Sequence, residues 1–311
     1  VTRSTILLSM KEVRMASKFM LIADDFLNLS QDAKKRSEKI QSIGLELAEK
    51  LASPVKLLYV QDPKNITVEK EQVEKATLHL QERFSKGKRK VQVISAHGNP
   101  IDEIFRIETD SPQPGMIVMG TQGKQGLERM FLGSVADEVV RNAVVPVMVI
   151  GPNVKDTSAG KPKILVATDL TKNSRRAEAY AMKLAKALKA EVVLIHSMME
   201  TLRTADQYAA ASGTIFLDQT TIDTLAAKTN EALMKKAKLF KAGGVKCSFV
   251  VDLNNTTSQN AIVEESTKGY RYLILGTHGR STFVRAFLGS TAKAAILDSP
   301  IPVIVLRSHE K

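Results

Sequence analysis

Cysteine and tryptophan are almost missing from this sequence of 311 residues, which contains one Cys and no Trp. Cys247 has no second cysteine in the chain to pair with, so a disulfide framework is excluded and a reducing, cytoplasmic location is favoured. Cys247 lies in the strand-like run of residues 245–251. We therefore interpret it as a small buried hydrophobic residue rather than a redox thiol.

Aromatic side chains and long hydrophobic runs are also scarce. No aromatic residue is interleaved with the basic runs at residues 34–36, 86–90 and 235–238, so a stacking surface for nucleic acid is not predicted. No run reaches the roughly 18 apolar residues of a membrane-spanning helix, so no membrane span is predicted.

The sequence lacks the common signatures of catalytic and metal sites. It has no Gly-x-x-x-x-Gly-Lys-(Ser/Thr) loop, no Gly-x-Gly-x-x-Gly fingerprint and no Gly-x-Ser-x-Gly elbow. The five histidines do not have metal-ligand spacing. We find no positioned base or nucleophile, and therefore predict no catalytic residues and no metal ligands.

The formal net charge is +12, and it is distributed unevenly. Residues 1–152 contain 22 Lys and Arg against 19 Asp and Glu, whereas the rest of the chain contains 23 against 14. A basic surface favours anionic partners, among which a nucleotide is one.

A pattern of glycines occurs twice. Gly120-x-x-Gly123, nine residues and Gly133-Ser134 recur as Gly276-x-x-Gly279, nine residues and Gly289-Ser290. At the same offset of 156, residues 120–150 and 276–306 agree at twelve of thirty-one positions, which indicates a duplicated unit. Glycines allow a ligand to approach the backbone closely, and a Gly-Ser pair that opens a helix presents free N–H groups to an anion. The sequence therefore predicts two phosphate-binding loops.

Short apolar runs alternate with helical patterns throughout both halves. This alternation predicts an α/β fold of two doubly wound, five-stranded parallel-sheet domains in tandem. We assign residues 1–15 to an N-terminal extension, 16–152 to the first domain, 153–162 to a linker rich in Gly, Pro and small polar residues, and 163–311 to the second domain.

The two domains are expected to pair through their last strands. Residues 146–150 and 302–306 are short, apolar and equivalent, and an outermost strand with an unpaired edge invites pairing. We expect an intrachain pseudo-dimer through these two segments.

Ligands of open parallel sheets bind outside the carboxyl ends of the strands, where the strand order reverses. Asp25 and Asp169 end the predicted first strand of each half, and the glycine loops follow the predicted fourth strand. If the first and fourth strands are neighbours, each aspartate faces its own glycine loop across one crevice. A carboxylate opposite a phosphate-binding loop is typical of a nucleotide site.

These residues resemble the nucleotide-binding branch of the universal stress protein family, over nearly all of residues 16–308. The resemblance implies an adenine nucleotide alpha hydrolase-like fold and ATP as the ligand, alone or with Mg²⁺. In the second half it implies that Thr168 and Asp169 contact the adenosine and that Ser197 lies near the base. It further implies that the phosphates are held by Gly276, Gly279, Gly289, Ser290 and Thr291 and flanked by His278 and Arg280. The matching positions of the first half are Asp24, Asp25, Val60, Gly120, Gln122, Gly123, Lys124, Gly133, Ser134 and Val135.

The first half departs from the pattern at two positions. Asp24 adds a second carboxylate next to Asp25, and Gln122 stands where the second half has His278. A second negative charge that faces an anionic ligand costs free energy, so we expect the second site to be the stronger.

The resemblance implies a nucleotide-dependent sensor or regulator of the stress response. Slow ATP hydrolysis that serves as a timed switch is an alternative. A second alternative is an interaction module that binds no nucleotide, in which the glycines only shape loops.

Overall fold

The structure is a computed structural model that describes residues 19–27, 30–63, 69–85, 91–121, 132–155, 162–199, 201–202, 218–254, 257–277 and 288–307. The predicted extension at 1–15 and residues 156–161 of the predicted linker lie outside the described residues. The chain separates into two compact units, and the main division falls between Pro152 and Asn153.

The first half alternates strands and helices. Its strands are β1 (Met20–Ala23), β2 (Val55–Gln61), β3 (Val91–His97), β4 (Met116–Gly120) and β5 (Val147–Ile150). Its helices are α1 (Gln31–Lys50), α2 (Lys70–Ser85), α3 (Pro100–Thr109) and α4 (Ser134–Asn142).

The second half repeats this order. Its strands are β6 (Lys163–Ala167), β7 (Glu191–Ser197), β8 (Cys247–Asp252), β9 (Tyr272–Gly276) and β10 (Val303–Leu306). Its helices are α5 (Arg175–Leu188), α6 (Gln219–Ala242), α7 (Ser258–Ser266) and α8 (Ser290–Asp298), and a short 3₁₀ turn (Lys172–Ser174) precedes α5.

The strand order in each half places the first strand beside the fourth. The first half has the order β3-β2-β1-β4-β5, and the second half has the equivalent order β10-β9-β6-β7-β8. Met20 of β1 pairs in parallel with Val55 of β2 on one side and with Met116 of β4 on the other. The expected adjacency of the first and fourth strands is therefore observed, and the strand order reverses between them.

The fourth and fifth strands of each half are buried along most of their length. All four residues of β5 and of β10 are buried, as are the first four of β4 and of β9. Continuous apolar runs of this kind are typical of parallel sheets, in which neither face meets water. The predicted doubly wound α/β fold is confirmed in both halves.

Helix α1 shows how local sequence and packing agree. The Ser30 side chain accepts a hydrogen bond from the Ala33 N–H at 3.3 Å and caps the helix start. Ile40, Ile43 and Leu47 lie on its buried face. Gly44 lets that face approach the sheet, because a Cβ at this position would lie 2.7 Å from Ile22 Cδ1.

No helix among the described residues is long and apolar enough to cross a membrane. Cys247, the first residue of β8, is 4% exposed, as expected for a small core residue.

Replacing Gly44 by Val should destabilise the first half. The added methyl groups would overlap Ile22 and Val118, and overpacking of this kind costs about 1–3 kcal/mol. Urea denaturation followed by circular dichroism measures the loss. Ser42→Val is the matched control, since Ser42 lies on the exposed side of the same helix. Valine has a higher helix propensity than glycine, so a loss in Gly44→Val alone reports packing, and an equal loss in both variants would contradict the packing argument.

The thiol of Cys247 should be unreactive in the native protein. Burial raises the pKa of Cys247 to about 12, so the reactive thiolate is scarce at neutral pH. A colorimetric thiol reagent should find no reactive thiol in the native protein and one thiol in concentrated urea. Rapid reaction of the native protein would contradict the burial of this side chain.

Candidate functional site

Each half brings its predicted site residues to the carboxyl edge of its sheet. Asp24 and Asp25 follow β1, and Thr168 and Asp169 follow β6. Gly120 and Gly276 are the last residues of the neighbouring strands β4 and β9, and Ser197 is the last residue of β7. Val60 is the second-last residue of β2. The register pairs Ala23 with Met119, so Asp24 comes level with Gly120.

The two glycine loops close in the same way. We call residues 120–134 the first glycine loop and residues 276–290 the second. The N–H of Gly133 donates to the carbonyl of Thr121 at 2.7 Å, and the N–H of Gly289 donates to the carbonyl of Thr277 at 2.9 Å. Six predicted ligands within the loops lie outside the described residues: Gln122, Gly123, Lys124, His278, Gly279 and Arg280.

The helices after the loops begin at glycines that supply no side-chain cap. Gly133 is the N-cap of α4 and Gly289 is the N-cap of α8, and neither helix start receives a hydrogen bond from a capping side chain. By contrast, the side chains of Ser30, Asn99, Asp218 and Thr257 cap four other helices. The first-turn N–H groups of α4 and α8 can therefore bind an anion. Ser134 and Val135 lie in the first turn of α4, and Ser290 and Thr291 in the first turn of α8.

The carboxylate of Asp24 is bound by helix α1. Its Oδ2 accepts hydrogen bonds from the hydroxyl of Ser37 and, at 3.0 Å, from the amide of Gln41. Burial raises the pKa of Asp24 above its ordinary value, and these two hydrogen bonds offset part of the increase. From the sequence we expected the Asp24 carboxylate to face the ligand. The hydrogen bonds from Ser37 and Gln41 on α1 were not part of that expectation.

Asp169 shapes the chain after β6. Its carboxylate accepts hydrogen bonds from the Thr171 N–H at 2.9 Å, from the Thr171 hydroxyl at 2.7 Å and from the Ser174 hydroxyl. The Ser174 hydroxyl in turn accepts a bond from the Asp169 N–H at 2.9 Å. These bonds fix the 3₁₀ turn and the start of α5.

A polar chain runs from Thr168 to helix α6. The Thr168 hydroxyl donates to Glu178 at 2.6 Å, and Lys236 forms an ion pair with the other oxygen of Glu178 at 2.7 Å. The ring Nδ1 of the buried His196 lies 2.7 Å from the carbonyl oxygen of Thr168. The predicted site residues Thr168 and Asp169 are therefore held in place by residues of α5, α6 and β7.

Sequence reasoning missed several of these residues. Ser174 had a local signal, because the polar run from Asp169 to Ser174 directly precedes a helix. Glu178, Lys236, Ser37 and Gln41 had none, since only tertiary packing brings them to the strand ends.

The surroundings of the two loops differ in charge. The first turn of α3 contains Asp102 and Glu103, and the first turn of α4 contains Asp137. The first turns of α7 and α8, the equivalent helices, contain no acidic residue. An anion therefore meets less repulsion at the second loop. Among the described residues, no group of three or more His, Cys, Asp or Glu could hold a metal ion.

Replacing Asp24 by Asn should stabilise the protein at neutral pH. Because the folded-state pKa of Asp24 is raised above its unfolded value, the native state holds the proton more tightly, and stability is lost as the pH rises through that interval. The asparagine side chain does not titrate, so the advantage of the variant should be absent at pH values below the ordinary range of an Asp carboxyl and should grow as the pH rises toward 7. Urea denaturation at several pH values measures this difference.

Asp223→Asn is the control for that experiment, because Asp223 is exposed on α6 and accepts a comparable bond from Gln219 at 2.9 Å. If the advantage of the Asp24→Asn variant is independent of pH, the burial argument is contradicted.

Comparisons with known proteins identify the family. The model of the universal stress protein family matches residues 20–151 and again residues 162–307. A universal stress protein of Methanocaldococcus jannaschii is 44% identical over 61 residues, which cover 20% of this chain and 35% of that protein. A universal stress protein of Mycobacterium bovis is 26% identical over 228 residues, which cover 70% of each chain. The crystal structure of a universal stress protein from Archaeoglobus fulgidus has a TM-score of 0.65, 21% sequence identity, and coverage of 94% of this chain and 100% of that one. The chain belongs to the universal stress protein family, with two copies of the family domain in tandem.

Proposed function

We propose that this protein binds ATP at the carboxyl edges of its two sheets and acts as a nucleotide-dependent regulator of the stress response. The second half holds the stronger site in this proposal. ATP binds alone or with Mg²⁺, whose ligands would be phosphate oxygens and water.

One observation carries the proposal. In both halves, a helix that starts at an uncapped glycine stands at the end of the fourth strand, next to the first strand and its terminal acid. The oxygens of a phosphate group can accept hydrogen bonds from the open N–H groups of the helix start, and the positive end of the helix dipole attracts the negative charge of the phosphate. Ligands of open parallel sheets bind at the point of strand reversal, which is where the nucleoside would lie.

Different residues would contact the nucleoside and the phosphates of ATP. Asp169, Thr168 and Ser197 lie at strand ends where they can contact the nucleoside. Gly289, Ser290 and Thr291 open α8 where they can contact the phosphates, and Gly276 ends β9 below them. Asp25, Gly120, Gly133, Ser134 and Val135 would do the same in the first half, with Val60 beside the base.

Regulation would follow from occupancy. ATP bound at the glycine loops changes the surface that a partner meets, and regulation requires that the partner bind the two states with different affinity. Slow hydrolysis, in which the rate of phosphate-bond cleavage sets the lifetime of the ATP-bound state, is the second candidate function.

Our proposal also includes a cytoplasmic location and the intrachain pairing through residues 146–150 and 302–306.

The first test is to denature the purified protein and analyse the released nucleotides by chromatography. An adenine nucleotide in the supernatant supports the proposal. Absence of bound nucleotide, together with a flat titration of the nucleotide-free protein with ATP, would favour the interaction module. Phosphate release over time separates binding from hydrolysis.

Replacing Gly289 by Asp should weaken ATP binding without weakening the fold. The new carboxylate can cap the first turn of α8, so it occupies the N–H donors and repels phosphate, while it stabilises the helix start. We expect the affinity for ATP to fall at least tenfold, which corresponds to about 1.4 kcal/mol, with unchanged or raised thermal stability. Isothermal titration and thermal unfolding measure the two effects.

Gly133→Asp is the matched variant in the first half, and its effect on total ATP binding should be smaller. If Gly133→Asp abolishes binding while Gly289→Asp leaves it intact, the ranking of the two sites is wrong.

A further inference from the structure

Gln259 makes a contact at the start of α8 that has no counterpart among the described residues at the start of α4. It is the second residue of α7, and its Nε2 donates a hydrogen bond to the hydroxyl oxygen of Ser290 at 2.9 Å. Helices α7 and α8 pack against each other, so the contact joins two neighbouring helix starts at the carboxyl edge of the second sheet. Gln259 is not among the candidate ligand residues predicted from the sequence.

The contact determines what the Ser290 hydroxyl can do. A serine hydroxyl has one proton to donate and can accept at its oxygen. Because the amide of Gln259 supplies a proton to that oxygen, the serine's own proton is left for another acceptor. The hydroxyl stands in the first turn of α8, beside the open N–H groups, so it is set as one more donor to an anion.

We propose that Gln259 is a positioning residue that holds Ser290 as a donor to phosphate and makes the start of α8 select ligands by their phosphate groups. This inference rests on the proposed function, since it concerns the same site. It adds the residue that decides how strongly that site distinguishes ATP from an uncharged nucleoside.

The first half supplies the contrast. At the corresponding place, the second residue of α3 is Ile101, whose side chain cannot donate a hydrogen bond. The same first turn contains the carboxylates of Asp102 and Glu103, and Glu103 is paired with Arg106 of its own helix at 2.8 Å. Ser134 therefore lacks the counterpart of the Gln259 amide, and the negative charge on α3 disfavours phosphate. The first loop should therefore distinguish ATP from adenosine less strongly than the second.

The test titrates the full chain, freed of nucleotide, with ATP and separately with adenosine. Gln259→Leu removes the amide without adding charge, and Gln259→Glu gives Ser290 an acceptor and adds a negative charge. We expect a three- to tenfold loss of ATP affinity for Leu and a larger loss for Glu, with adenosine affinity changed less than twofold. Asn230→Asp is the control, because it adds the same charge on α6, which right-handed crossovers place on the opposite face of the second sheet.

A double-mutant cycle shows whether Gln259 acts through Ser290. In a Ser290→Ala background, Gln259→Leu should no longer change the affinity for ATP, because the hydroxyl that it positions is absent. Equal losses of ATP affinity with and without the Ser290→Ala substitution would overturn the proposal, and so would parallel losses of ATP and adenosine. A wild-type protein that gives flat titrations with both ligands would overturn the proposed function as well. If the wild-type protein binds ATP but Gln259→Glu weakens this binding no more than Asn230→Asp does, the role of Gln259 is overturned and the proposed function stands.

Discussion

Adjacency of the first and fourth strands is the constraint on which the candidate site depends. In each half the second and third strands are added on one side of the first strand. The chain then returns and adds the fourth and fifth strands on the other side of the first strand. Right-handed crossovers in opposite directions place the helices on opposite faces, which opens a crevice at the carboxyl ends of the central pair. The crevice, the acid at one side of it and the glycine at the other all follow from this order of strands.

The apolar character of the central strands makes that order stable. Ile117 and Val118 of β4 and Leu165 and Val166 of β6 have essentially no exposed surface. Separating these strands would expose their side chains to water, so burial favours the observed pairing. The candidate residues Asp24, Asp25 and Asp169 occupy the first two positions beyond the buried runs, where the chain leaves the sheet.

The two halves share a backbone plan and differ in how polar side chains support it. Asp24 is bound by Ser37 and Gln41 of α1, whereas its counterpart Thr168 is bound to Glu178, which Lys236 neutralises. Acidic first turns stand beside the first glycine loop, and an amide that binds Ser290 stands beside the second. Duplication thus preserved the strand order and glycine spacing, while the charge around each loop diverged. This divergence is the physical basis for expecting unequal affinity for an anionic ligand.

The sequence by itself determined the α/β class, the duplication and most element positions, because hydrophobic periodicity and glycine spacing are local properties of the chain. Runs such as those of β4 and β9 are continuous and apolar, and the Gly-Ser pairs at 133–134 and 289–290 mark the helix starts that the structure has. Only the tertiary structure decided which side chains meet at the strand ends. Gln41 reaches Asp24 across 17 residues, Lys236 reaches Glu178 across 58, and Gln259 reaches Ser290 across 31. Contacts over such separations depend on how helices pack on the sheet, and no local pattern in the sequence encodes that packing.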